Sequence, residues 1–145
     1  RPSHAVFGEK DWQQLQVIRA MTAAQGRATR VVACPTVREE GNLSGLAMSS
    51  RNVFLSAEDR LRARVLSQAL DAATTERTPG DAEETMSMLV SRAGLEVEYA
   101  VVRHAETLMP VSRDDVRQGR GPWRSLIAAR LTGVRLIDNA AWTPA

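Results

Sequence analysis

A chain of 145 residues, 43% of them hydrophobic, can bury a core of ordinary size, which excludes a disordered or fibrous protein and predicts one compact domain or a piece of a larger one. The net charge of +2 and pI of about 9.3 raise the question of nucleic acid. All but one of the 19 basic residues are arginines interspersed with acids, and only 4% of residues are aromatic, so no stacking platform for bases is legible.

His4-Ala5-Val6-Phe7 before Gly8 reads as the end of a buried strand, and Asp11 to about Gln25 as a helix with Trp12, Leu15, Ile18 and Met21 on its apolar face. Thr29 to Cys34 is a β-branched run closed by Pro35, completing a strand, helix, strand unit of the parallel α/β kind. Cys34, inside that apolar run, is expected to be a buried thiol. One such unit is too little for a doubly wound domain. With no initiator methionine and a first element that is already a strand end, the chain reads as lacking the half that precedes it.

From Thr36 to Asn52 periodicity gives way to glycine, serine and asparagine, a long loop and the best candidate for a domain boundary. Ser56 with Asp59 predicts a helix start, and Leu61, Val65, Leu66, Ala69, Leu70 and Ala73 predict one apolar helical face. Thr78-Pro79-Gly80 breaks it; Asp81 is the expected cap of a second helix with Met86, Leu89, Val90 and Ala93 inward, stopped by Gly94. Leu95, Val97, Tyr99 and Val101 alternate with glutamates as a half-buried strand, and Trp123 to Leu131 and Val134 to Ile137 flank Thr132-Gly133 as a hairpin. The expected fold is α/β: residues 1–36 as the C-terminal part of a Rossmann-like nucleotide-binding domain, 37–53 as loop and hinge, and 54–145 as a small α+β domain with helices on an antiparallel sheet.

Two constellations are suited to chemistry. Gly8-Glu9-Lys10-Asp11 lies where a strand gives way to a helix, where unpaired amides and the helix dipole favour an anion. Lys10, the sole lysine, adds a compact charge. Asp11 can cap the helix or accept from sugar hydroxyls. A plain strand-to-helix turn explains the same four residues. Gln13 and Gln14 follow, either facing solvent or projecting toward a cleft. Met48-Ser49-Ser50-Arg51-Asn52 places adjacent hydroxyls beside an arginine fork, a pattern that can clamp phosphate oxygens, although such residues are also ordinary in loops. His4 and His104 are isolated in sequence, and Asp114-Asp115 and Glu83-Glu84 read as solvated charge. No metal-ligand spacing is present.

Phe7 to Leu15, Pro35-Thr36-Val37-Arg38-Glu39, Gly45-Leu46-Ala47-Met48-Ser49-Ser50-Arg51-Asn52 and Arg135-Leu136-Ile137-Asp138-Asn139 together resemble, in order and spacing, the C-terminal half of the pantothenate synthetases (pantoate β-alanine ligases) of the nucleotidyltransferase superfamily. The resemblance implies an ATP-dependent condensation of pantoate with β-alanine through a pantoyl adenylate, releasing AMP and pyrophosphate, with Mg²⁺ held mainly by the ATP phosphates. It implies that Gly8, Glu9, Lys10, Asp11, the backbone of Val37, Met48, Ser49, Ser50 and Arg51 bind ATP. Lys10, Ser49, Ser50 and Arg51 would carry the chemistry, and Gln14 would hold pantoate. In that family the histidine motif that cradles the triphosphate and most of the β-alanine site lie in the N-terminal half, as does most of the pairing surface, which leaves a homodimer open. The loop between Glu39 and Gly45 is longer than the family's usual pattern, Ser44 stands where an aspartate is usual, and Trp12 replaces the commoner tyrosine. The competing reading is a non-catalytic basic module that binds RNA or another polyanion. With no apolar run near the roughly 18 residues that span a bilayer, no signal-peptide order and a lone cysteine, the expectation is a cytoplasmic protein that engages neither nucleic acid nor membrane.

Overall fold

The computed structural model describes residues 2–145. The chain forms two compact units, Arg1–Val37 and Arg38–Ala145.

In the first unit, strand β1 (His4–Gly8) runs parallel to β2 (Arg30–Cys34), in a register that pairs His4 with Arg30 and Gly8 with Cys34. A 3-10 turn, Glu9–Asp11, leads from β1 into helix α1 (Trp12–Ala24). The expected apolar face of α1 is buried only at its start. Trp12 and Leu15 are covered, whereas Ile18 is half-buried and Met21 is 48% exposed. Ile18 and Met21 line an open cleft with Phe7 and Val31. Cys34 is exposed, not buried as its apolar neighbours suggested. The reason is geometric: a parallel sheet hides a strand's apolar run only when both of its faces are covered, and one helix on two strands covers one face at most.

The second unit is an α+β module. Helices α2 (Ala57–Ala63), α3 (Val65–Ala73) and α4 (Pro79–Arg92) precede the antiparallel sheet β3-β4-β5, made of Glu96–His104, Trp123–Leu131 and Val134–Trp142, with the short helix α5 (Arg113–Arg117) between β3 and β4. Ser56 caps α2 by accepting the Asp59 N–H at 3.0 Å, as its spacing predicts. The single helix expected from there to Ala73 is broken at Arg64, whose carbonyl accepts both Gln68 N–H and the Ser67 hydroxyl. The break leaves Leu61 44% exposed while Val65, Leu66, Ala69, Leu70 and Ala73 enter the core. The cap of α4 is Thr78, not Asp81. Proline at the first helical position suits a helix start, and Asp81, one turn in, gives its N–H to the Thr78 hydroxyl at 3.2 Å.

Helices α3 and α4 pack against one face of the sheet around Met86, Val90, Val102, Ile127, Leu131 and Trp142. Each fully buried apolar side chain of this size contributes about 1.5–3 kcal/mol, so this layer holds the module together. The Trp142 indole N–H donates to Ala73 O at 2.8 Å and ties the end of β5 to the end of α3. The β4–β5 hairpin turns on Thr132 and Gly133, both with positive φ (48° and 82°), the two-residue connection whose twist matches the strands. A register shift in β3 between Val97 and Tyr99 moves the expected alternation by one residue. Val102, not Val101, is therefore fully buried. The architecture is α/β, with helices on a three-stranded antiparallel sheet.

Candidate functional site

In the first unit Gly8 closes β1, and Glu9, Lys10 and Asp11 form the 3-10 turn that starts α1. A side chain built at Gly8 would meet nothing within 4 Å. Its backbone is extended, with φ −73° and ψ 138°, so neither local conformation nor packing demands glycine there. Glu9 and Lys10 are half-buried; Asp11, Gln13 and Gln14 are exposed. Asp11 occupies the cap position of α1 but makes no side-chain cap bond, a correction to the capping role considered for it, and its carboxylate stays available. Further along the same helix, Gln16 is buried with its Nε2 unpartnered among the described residues. Nothing in the sequence singles it out, because a glutamine on a helix usually faces solvent. Val37 ends this unit, 65% exposed.

In the second unit the expected loop is built, not slack. Gly41–Leu43 and Ser50–Phe54 are 3-10 turns, and Arg38 bridges to Ala47 as an isolated antiparallel pair. Just past the first of these turns, Arg64 Nε donates to Ser44 O at 3.0 Å. Ser49 caps the second turn, its hydroxyl accepting Arg51 N–H at 3.2 Å. The Ser49 hydroxyl proton is left for another acceptor. Met48 is 49% exposed, and Ser50 and Arg51 are exposed. The Arg51 guanidinium makes no ion pair among the described residues. Asn52 behind them is buried, donates its amide to Ala47 O at 3.1 Å, and has its own carbonyl held by Arg60 Nε at 2.9 Å. Met48, Ser50 and Arg51 thus form one exposed ridge, with Ser49 half-buried among them, on a buried footing.

Electrostatic partners correct other readings. Asp115 is no solvated charge. It closes a capping box with Ser112, pairs with Arg120 at 3.3 Å and faces His104 Nε2 at 3.7 Å. The hydrogen bond from the Ser112 hydroxyl, then that from its N–H, lowers the Asp115 pKa to about 2. Glu83, read as solvated, accepts Val102 N–H at 2.8 Å and Arg103 at 3.0 Å. Arg38 is held above its ordinary pKa, chiefly by its hydrogen bond to Asp138. Arg62, Arg117, Arg130 and Arg135 also pair with carboxylates. At least seven of the 18 arginines thus have a carboxylate partner among the described residues. No helix among the described residues is long and apolar enough to cross a membrane.

A strand-turn-helix segment with a lysine at its turn and an α+β module that opens on a hydroxyl and arginine ridge put the chain in the mixed α/β class. The Pantoate-beta-alanine ligase family profile matches residues 1–141, and the chain belongs to that family. It is 46% identical to a pantothenate synthetase from Bradyrhizobium sp. (strain BTAi1) over 97% of this chain and 49% of that protein. A pantothenate synthetase from Rhodopseudomonas palustris (strain BisA53) is 42% identical over the same shares. The crystal structure of pantothenate synthetase from Thermus thermophilus superposes with a TM-score of 0.83 at 38% identity, covering 99% of this chain and 51% of that one. The chain thus spans about half the length of the relatives it matches.

Proposed function

We propose that this chain supplies the phosphate-gripping half of an enzyme that condenses pantoate with β-alanine at the expense of ATP. Family membership supports the reaction. The observation that carries the assignment to these residues is that the Asp11 carboxylate and the Arg51 guanidinium stand exposed with no partner to satisfy them among the described residues, although cap and ion-pair partners are common elsewhere in the fold. Gly8, with open space where a side chain would stand, suits close approach of a nucleotide to the backbone.

In this reading a pantoate carboxylate oxygen attacks the α-phosphorus of ATP and the bond to pyrophosphate breaks, giving pantoyl adenylate. The β-alanine amine then attacks the acyl carbon and AMP leaves. Lys10 and Arg51 offset charge on the phosphates, Ser49 and Ser50 orient their oxygens, and Met48 packs beside them, so positioning and electrostatics supply the catalysis. Asp11 accepts from the ribose hydroxyls, Glu9 lies in the same segment, the backbone of Val37 meets the adenine, and Gln14 donates to pantoate. Mg²⁺ would be held mainly by the ATP phosphates and would supply charge neutralisation there. The remaining β-alanine contacts, the rest of the triphosphate cradle and any homodimer contacts belong to the half of the relatives' length that this chain does not cover.

Pantoate-dependent exchange of radiolabelled pyrophosphate into ATP tests the reading. The 145-residue chain alone is expected to give none, and joining it to the amino-terminal half of a relative is expected to restore it. Exchange in the joined enzyme that ignores pantoate would sink the assignment.

A further inference from the structure

The ridge Met48–Arg51 hangs between two fixed points, and the first is set by an arginine to which the functional reading gives no ligand. Arg38 Nη1 and Nη2 donate to Asp138 Oδ2 and Oδ1 at 2.7 and 3.0 Å, and Nη1 also donates to Gly45 O at 2.7 Å. The Asp138 side chain is only 1% exposed. It sits in mid-strand on β5, opposite Ile127 of the central strand, and its Oδ1 accepts Asn139 N–H at 2.8 Å. This acceptor is therefore part of the sheet and moves only with it. The same arginine pairs across the loop with Ala47, next to which Glu39 N–H donates to Leu46 O at 2.8 Å. Ala47 O in turn receives the Asn52 amide. The chain of contacts runs from a rigid strand, through one guanidinium fork, to the residues on either side of the ridge.

We propose that Arg38 is a positioning residue for the phosphate chemistry: anchored on Asp138, it fixes where Met48–Arg51 stand and acts on the nucleotide only through that ridge. The proposal rests on the function assigned above. A planar fork is required, because one donor pair must face Asp138 while the same group reaches Gly45 O, a geometry that a point-charge lysine does not reproduce. An ion pair whose only role is to add stability would raise the amount of folded protein and leave the loop's geometry and its nucleotide kinetics alone.

Two measurements separate these cases. The first follows amide hydrogen exchange in the 145-residue chain, comparing the parent with Asp138→Asn and with Arg38→Met/Asp138→Asn; the double variant leaves no buried charge unpaired. Exchange at Glu39 and Leu46 is expected to accelerate in both variants, with the amide of Ile127 in β4 unchanged. Unchanged exchange at Glu39 and Leu46 would overturn the anchor. The second measures pyrophosphate exchange in the joined enzyme. For these variants kcat/KM for ATP is expected to fall about 100-fold, the effect of a reacting group displaced by about 1 Å, with KM for ATP raised, KM for pantoate kept, and Arg38→Lys recovering only part. A lower rate at unchanged KM for ATP means that only folded enzyme was lost, which refutes positioning. Should the joined parent itself give no pantoate-dependent exchange, the functional reading has failed, and the amides of Glu39 and Leu46 still decide for or against the anchor.

Discussion

Gly45→Ala probes the loop where backbone and packing demand glycine together. Gly45 has φ +93°, and a Cβ there would lie 2.6 Å from the Ser67 hydroxyl oxygen. Holding an L-residue in left-handed backbone costs about 1–2 kcal/mol. The overlap is relieved by turning the Ser67 side chain, which gives up its 3.0 Å hydrogen bond to Arg64 O, about 1 kcal/mol more. The single substitution is therefore expected to destabilise the chain by about 2–3 kcal/mol in urea unfolding, with an unchanged m-value. In Gly45→Ala/Ser67→Ala the overlap is gone, so relative to Ser67→Ala the cost of the glycine change should fall to the backbone part alone. Equal costs of Gly45→Ala with and without the Ser67 side chain would refute the packing argument, and a cost near zero in both would refute the conformational one.

Three further outcomes are expected. Trp142→Phe leaves the fully buried Ala73 without the indole donor and should cost about 1–3 kcal/mol in urea unfolding, less than the roughly 3–5 kcal/mol of an aromatic-to-alanine change; a neutral result would show that the bond does not hold α3 to β5. Asp115, with its folded pKa lowered to about 2, contributes stability that is complete above its unfolded value of about 3.9 and is lost as the pH falls through about 2, so an NMR titration of its carboxyl should have its midpoint near 2, and a midpoint at the ordinary value would remove the capping box. Cys34, exposed at the end of β2, should react with a thiol reagent in the folded chain, and protection until denaturation would restore the buried reading.

Local patterns were legible in the sequence because their causes are local. Ser56 with Asp59, the two-residue turn at Thr132-Gly133 and the inward set Met86 and Val90 follow from spacing alone. Thr78 and Asp81 show where such reading becomes ambiguous: both can cap, they bond to each other, and proline between them decides for Thr78. The β3 bulge and the break at Arg64 each shift a pattern by a residue or less than a turn, and no propensity announces them. What sequence could not supply were partners far apart in the chain. Arg38 and Asp138 stood inside two recognised blocks, yet their pairing spans 100 positions. Glu83 read as solvated because the Val102 N–H that it faces comes from another element, whereas the Ser112 cap that holds Asp115 is a local signal three residues before it. At the candidate site, Lys10 and the Ser49–Arg51 ridge were recognisable as residue types. Freedom of the Asp11 carboxylate from capping, and the buried footing supplied by Asn52 and Arg60, needed coordinates.

The proposed chemistry centres on one ammonium group, that of Lys10, gripping the triphosphate. Pantoate-dependent pyrophosphate exchange by the joined enzyme carrying Lys10→Ala tests this most directly, with circular dichroism to confirm an intact fold. A loss of at least about 100-fold in exchange rate, the range for removing a preorganised charge-stabilising group, is the expected result; a Lys10→Ala enzyme as fast as its parent would contradict it.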